Sequence, residues 1–300
     1  VDTNRGPVAV TGASGLIGRA LVASLEADGQ RVLRLVRSAP RSPDEVRWDP
    51  KRETVDVEAL QGVRAVVHLA GAGVGDRRWT AAYKREILDS RVKGTVAIAS
   101  AMAALDPRPD VLVAGSAVGY YGDTGDRPVD ETSPRGQGFL ADVVAQWEAA
   151  ADPARDAGIR VVHARTGIVA SRKGGAFGRL LPVVRLGLGG RLGSGRQWWS
   201  LISLPDEVRA LRLLLEDERA VGPVNLTAVP AQLDGILHAL GREFHRPTVM
   251  RVPAAALRLG LGEMSSEVLG STRVEGRRLQ ELGFSYEHPT LEAIAAYLHG

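Results

Sequence analysis

Three glycines carry the first chemistry that the chain shows. Gly12, Gly15 and Gly18 lie in Val8-Ala-Val-Thr-Gly-Ala-Ser-Gly-Leu-Ile-Gly18, between a β-branched run and a segment whose apolar positions recur with helical spacing from Leu16 to Leu25. In a strand-turn-helix unit the first glycine permits the tight turn, the second lets backbone approach a ligand, and the third lets helix and strand pack closely. The helix start presents free N–H groups and the positive end of its dipole, which suit a pyrophosphate. The expected ligand is a dinucleotide. About 20 residues past the glycines, an acid would bind a ribose 2′-hydroxyl and an arginine would suit a 2′-phosphate. Here the second strand, Arg31 to Val36, runs into Arg37-Ser38, and no Asp or Glu follows until Asp44. The arginine fork points to NADP(H).

Proton transfer beside such a cofactor needs a side chain within reach of the substrate. Ser116, Tyr120 and Tyr121 follow the apolar run Val111 to Ser116 and are the candidates, with a strand-end cap and core packing as their plainer alternatives. The chain has no cysteine, which excludes disulfides, thiolate catalysis and zinc-thiolate sites. Its histidines have neither metal spacing nor a local Ser/Asp constellation, so no metal is expected. A second candidate is the glycine-rich run Gly187 to Trp199, with Arg185, Arg191, Arg196 and two tryptophans. It reads either as a substrate-side loop for an anionic or aromatic group, such as a nucleotide diphosphate, or as a tight crossover whose tryptophans fill a core.

The elements that must position these residues alternate. Strands at Arg31 to Val36, Arg64 to Gly71, Val111 to Ser116 and Ile159 to Arg165 are separated by helical patterns at Trp79 to Leu105 and Phe139 to Ala157. The alternation predicts a doubly wound parallel sheet of α/β class. The small residues ending the second of these strands, Leu69-Ala70-Gly71, would let a cofactor lie against backbone. Ala39 to Glu58 is polar and proline-bearing and is expected to be a surface connection with Trp48 docked on the body. Residues 1–170 are expected to form the cofactor domain, with the chain returning near 200–227, and 171–300 a smaller α+β lobe. That lobe would hold helices at Asp206 to Leu215, Gln232 to Leu240, Pro253 to Leu261 and Pro289 to Leu298.

With 300 residues, 24% charged and 44% hydrophobic, the composition is that of an ordinary globule. No apolar run approaches the ~20 residues of a membrane helix, and polar Val1 to Arg5 gives no secretory signal. A cytoplasmic location is expected, with a small molecule as partner and neither nucleic acid nor membrane. The net charge of +3 is small and its basic residues are dispersed among acids.

Taken together, Thr11-Gly-Ala-Ser-Gly-Leu-Ile-Gly18, Val67-His-Leu-Ala-Gly71, Arg78-Trp79, Ser90-Arg91, Gly115-Ser-Ala-Val-Gly-Tyr-Tyr-Gly122, Trp147-Glu148, Arg165-Thr-Gly-Ile-Val169 and the Gly187 to Trp198 run resemble the atypical, extended short-chain dehydrogenase/reductases labelled "epimerase family", related to nucleoside-diphosphate-sugar epimerases. The resemblance implies a Rossmann domain with a small C-terminal lobe. It implies that Gly12, Ser14, Gly15, Leu16, Ile17 and Gly18 hold the pyrophosphate, that Arg37 and Ser38 hold the 2′-phosphate, and that Leu69 to Gly71 contact the cofactor by backbone. It also places Glu86, Arg91 and Val169 near the cofactor, although Glu86 and Arg91 read by themselves as a solvated helix face. Ser116 falls where the superfamily keeps its catalytic Ser or Thr.

Extended members carry Tyr-x-x-x-Lys at the positions held here by Leu140 and Val144. A tyrosine of pKa ~10 is a poor base unless a cation stabilises its phenolate, so the loss is chemically serious. A histidine of the resembling pattern is also replaced, by Ser203. Two functional classes follow: an NADP(H)-dependent oxidoreductase or epimerase, and an NADP(H)-binding protein without turnover that senses or regulates.

Overall fold

The structure is a computed structural model that describes residues 6–300, so the polar Val1 to Arg5 segment lies outside the described residues. The first half of the chain forms β1 (Val8–Thr11), α1 (Leu16–Ala27), β2 (Val32–Val36), β3 (Glu45–Asp49), β4 (Thr54–Val55), β5 (Ala65–His68), α2 (Ala81–Ala103), β6 (Val111–Ala117), α3 (Phe139–Ala149), α4 (Asp152–Asp156) and β7 (Arg160–Thr166). The second half forms β8 (Ile168–Ala170), α5 (Gly175–Arg185), β9 (Gly190–Leu192), β10 (Trp198–Ser203), α6 (Leu204–Glu216), β11 (Gly222–Leu226), β12 (Val229–Gln232), α7 (Leu233–Glu243), β13 (Met250–Val252), α8 (Ala254–Leu261), α9 (Ser265–Leu269), α10 (Arg277–Glu281) and α11 (Leu291–His299).

The central strands β1 and β5 are buried on both faces and apolar up to their last residues, Thr11 and His68, as parallel strands flanked by helices must be. Eight strands line up in the order β11-β7-β6-β5-β1-β2-β3-β4. All neighbours are parallel except β3 and β4. The chain moves outward from β1 through β2 and β3, then returns to place β5 on the other side of β1. That reversal opens a crevice at the carboxyl ends of β1 and β5, where open α/β sheets bind ligands. On one face, the stripe Gly18, Leu21, Val22 and Leu25 of α1 packs with Leu211 and Leu214 of α6; on the other, Ile98 and Met102 of α2 pack with Ala151 and Ala154. The expected α/β Rossmann fold is therefore the one observed.

β8, β10 and β12 form a three-stranded sheet, and β9 pairs with β13. Phe177, Leu181, Trp199, Leu237, Ile294 and Leu298 share the core beneath them. The last segment is joined to α6 through buried Asp206, which accepts the N–H groups of Glu287 and His288 at 2.7 and 3.0 Å.

Three local expectations are corrected. Ala39 to Glu58 is not a plain connection, because Val46 and Trp48 alternate with charged residues and turn inward as β3, leaving Trp48 3% exposed. The helix expected from Phe139 to Ala157 breaks at Ala150, and Pro153 sits in the first turn of α4, where its missing N–H is not needed. Gly187 to Trp199 contains β9 and the start of β10. Among the described residues no helix is long and apolar enough to cross a membrane.

Candidate functional site

The glycine turn has the geometry its spacing predicts. Gly12 has φ +67°, and a Cβ there would lie 2.9 Å from the carbonyl carbon of Leu69. Gly18 faces the same turn, and a Cβ on it would collide with the Gly12 carbonyl. Ser14 and Gly15 are exposed, and α1 starts at Gly15 with no side chain capping it. Its first amides are thus left for an incoming anion. Leu16 lies 3.6 Å from the Cβ position of Gly174, and the Val169 carbonyl lies 3.7 Å from that of Gly175, so the exit of β8 meets the start of α1. Ile17 packs its side chain against the core beneath the turn. At the end of β2, Arg37 and Ser38 are exposed, and Arg37 has no ion pair or hydrogen bond among the described residues.

The facing loop, Leu69 to Ala72, is held at both ends by side chains. Thr11 Oγ1 accepts the N–H groups of Leu69 and Ala70 at 3.1 and 3.2 Å, which leaves its proton for His68 Nδ1 at 2.7 Å. The network therefore assigns the imidazole as neutral with its hydrogen on Nε2. Burial agrees, lowering the His68 pKa to about 4, while Nε2 finds no partner. At the far end Ser90 Oγ accepts from the Ala72 N–H at 3.0 Å, and Arg91 Nη1 donates to the carbonyls of Ala72 and Ile87. Arg91 also lies over Trp147, 5.0 Å from the ring centroid, and burial brings its pKa down to about 10. Its guanidinium thus fixes the loop that would touch a cofactor. Glu86 is exposed and 3.9 Å from Arg77, outside this cluster.

The three hydroxyl candidates sit together at the end of β6, but in different situations. Ser116 Oγ donates to Glu148 Oε1 at 2.6 Å. Glu148 is held in a bidentate pair by Arg165, Nε and Nη2 each at 2.8 Å, with the arginine side chain 4% exposed. Burial pushes the Glu148 carboxyl up, but the bonds and charge of Arg165 outweigh it, and the group stays below the usual carboxylate range. Tyr121 is 2% exposed; its hydroxyl donates to Asn225 Oδ1 and accepts from Arg165 Nη1, both at 2.9 Å. Burial raises its pKa, and its hydroxyl is taken up by Asn225 and Arg165 in this conformation. Tyr120 is half-buried, makes no side-chain hydrogen bond among the described residues, and has the Arg165 guanidinium 3.5 Å from its ring centroid. Leu140 and Val144 face this turn, with their side chains 3.5 and 3.9 Å from the Cβ position of Gly119. The place of the missing tyrosine and lysine is apolar, and the cation near the tyrosines comes from β7.

The glycine-rich run does not assemble an anion site. Trp199 is in the core, Trp198 Nε1 donates to Asp126 at 2.8 Å, Arg191 pairs with Asp234 at 2.8 Å, and Arg185 lies over Phe244. Of the two readings left open for it, core filling holds for Trp199, while Trp198 is half-buried and Arg196 stays exposed with no side-chain partner among the described residues. Sequence reasoning assigned no role to Thr11, His68, Glu148 or Arg165. It also passed over Glu207, which is fully buried and accepts from Thr166 Oγ1 at 2.8 Å, at the end of β7. Burial raises this carboxyl to about 8, and Oε2 has no partner.

Residues 8–227 match the model of the NAD dependent epimerase/dehydratase family, and residues 252–298 match a domain of unknown function (DUF1731). The epimerase family protein Mb2239 of Mycobacterium bovis is 44% identical over 292 residues, covering 97% of this chain and 96% of its own. The crystal structure of the human epimerase family protein SDR39U1 with NADPH superposes with a TM-score of 0.88 at 30% identity, covering 98% of this chain and 99% of that one. A structure described as the nucleoside-diphosphate sugar epimerase from Corynebacterium glutamicum has a TM-score of 0.80 at 32% identity, and this chain spans 59% of its length.

Proposed function

This chain belongs to the NAD dependent epimerase/dehydratase family, and from that premise we propose that it is an NADP(H)-dependent epimerase or oxidoreductase with its substrate chemistry at Ser116. The observation that carries the cofactor reading is the open glycine turn with unpaired Arg37 at the end of the next strand. Gly12, Ser14, Gly15, Leu16, Ile17 and Gly18 would receive the pyrophosphate, Arg37 and Ser38 the 2′-phosphate, and Leu69, Ala70, Gly71 and Val169 would flank the rest. Arg91 acts as a positioning residue through the Ala72 carbonyl. Residues 1–170, with the return through 200–227, would form the cofactor unit and 171–300 the cover. NADP(H), when bound, supplies hydride exchange at the nicotinamide.

On the protein side, Ser116 gives its proton to Glu148, so its remaining lone pairs are free to accept from a substrate hydroxyl. Removing that hydroxyl proton through Ser116 would require Glu148 to take one up, which Arg165 disfavours. Ser116 therefore orients the substrate, and Tyr120 is the remaining group able to exchange a proton. A small molecule of the nucleotide-sugar class is the proposed substrate, in keeping with the description of the Corynebacterium relative. The alternative, binding without turnover, is favoured by one observation: Leu140, Val144 and the bound Tyr121 leave no phenol-lysine pair. Incubating the protein with NADPH or NADP and a panel of nucleotide sugars and carbonyl compounds separates the two. Turnover that falls at least tenfold in Ser116→Ala, with cofactor affinity unchanged, supports the enzyme. No consumption or isomerisation of any compound supports the binding protein.

A further inference from the structure

Two stretches of the chain contain no Asp or Glu at all, residues 157–205 and 244–262. They are far apart in sequence, but the fold joins them. β13 pairs with β9, the Met250 N–H donates to the Gly189 carbonyl, and Pro247 lies 3.6 Å from the Cβ position of Gly187. Six of the seven large apolar side chains exposed among the described residues belong to these stretches: Val183, Leu186, Leu188, Val249, Met250 and Leu259. Arg246, Arg251 and Arg258 of the second stretch are exposed, and their side chains make no ion pair or hydrogen bond among the described residues. α8, with the sequence Ala-Ala-Ala-Leu-Arg-Leu-Gly-Leu, buries none of its residues. A helix of that composition has no reason to form against water alone.

We propose that this face docks on an anionic phospholipid surface. Leu186, Val249 and Leu259 are 73, 77 and 83% exposed. They suit insertion into the deformable boundary between headgroups and acyl chains, with arginines meeting lipid phosphates. Acid-free stretches suit an anionic bilayer, since each basic residue near it adds attraction and an acid would subtract, and the acid beside β9, Asp234, is already paired with Arg191. The sequence-based expectation of no membrane partner rests on the absence of a spanning run, and surface contact needs no such run.

The test is co-sedimentation of the whole chain with phosphatidylcholine vesicles, with and without roughly a third phosphatidylglycerol, a fraction at which arginine attraction is substantial. The proposal expects binding to anionic vesicles only, weakened by salt. The double variants Leu186→Asp/Val249→Asp and Arg246→Glu/Arg251→Glu should each lose binding at least tenfold, with melting temperature unchanged because all four side chains are exposed. Wild-type protein left in the supernatant, equal binding to neutral vesicles, or unimpaired variants would overturn it. So would light scattering that shows a dimer dissolved by the same substitutions, which would assign the face to a second copy.

Discussion

The two halves of the crevice are built on opposite principles. At β1 and β2 the binding groups are backbone amides and one arginine, and they are left open: Gly15 is uncapped, Ser14 exposed and Arg37 unpaired. At β6 and β7 the polar groups are side chains, and they are bound to one another, from Ser116 through Glu148 and Arg165 to Tyr121 and Asn225. A site whose groups have no internal partner is poised to take up a ligand; one whose groups are satisfied is poised to keep its shape. On the proposed reading, cofactor capture falls to groups standing free, and substrate chemistry to a cluster that is largely bound to itself, with Tyr120 its one hydroxyl without a hydrogen bond among the described residues.

The sharpest way to break the contrast is to remove one partner of the buried pair. Glu148→Leu leaves the Arg165 guanidinium, 4% exposed, without its counter-charge. Such losses cost about 3–5 kcal/mol. Urea denaturation should show that loss, and a change below ~1 kcal/mol, the level of an exposed pair, would mean the cluster is not a structural unit.

Glu207 tests the same half by pH. Its folded pKa, raised from 4.5 to about 8, lies above the unfolded value, so the native state keeps a proton that the unfolded chain releases. Stability should therefore fall as pH rises between about 4.5 and about 8, by ~1.4 kcal/mol per unit. Glu207→Gln, neutral throughout, should flatten that slope and be more stable than wild type near pH 7.5 while keeping an acceptor for Thr166. Parallel slopes for the two proteins in urea titrations at several pH values would contradict the buried neutral acid.

In the open half, Gly18→Ala forces a Cβ onto the Gly12 carbonyl, backbone against backbone. Overpacking of this kind costs ~1–3 kcal/mol, and the displaced turn should also abolish dinucleotide binding. A variant that melts and binds like wild type would show that the turn can move aside.

These features were unequally legible. The glycine turn, the alternation of strands and helices and the lobe could be read because they depend on local pattern: β-branched runs, helical spacing and glycine between them. The arginine after β2 was legible for the same reason. The Ser116 cluster was not, since Glu148, Arg165 and Asn225 come from three distant segments and meet only through the fold. A signal existed: His68, His163 and Arg165 interrupt buried apolar runs, and a polar residue at such a position must find a partner. The loop at Gly187 to Trp199 misled in the other direction. Its tryptophans and arginines had stacking and cationic capacity, but burial and Asp234 had already claimed Trp199 and Arg191.

The smallest effect expected is also the most specific. An arginine fork on the 2′-phosphate contributes ~1.5–3 kcal/mol, roughly tenfold to a hundredfold in affinity. Titrating the protein with NADPH and NADH, followed by nicotinamide fluorescence, measures it directly in wild type and Arg37→Ala. Wild type is expected to prefer NADPH by at least tenfold, and the variant to bind both alike, with NADH affinity unchanged. Equal affinities in the wild-type protein would contradict it.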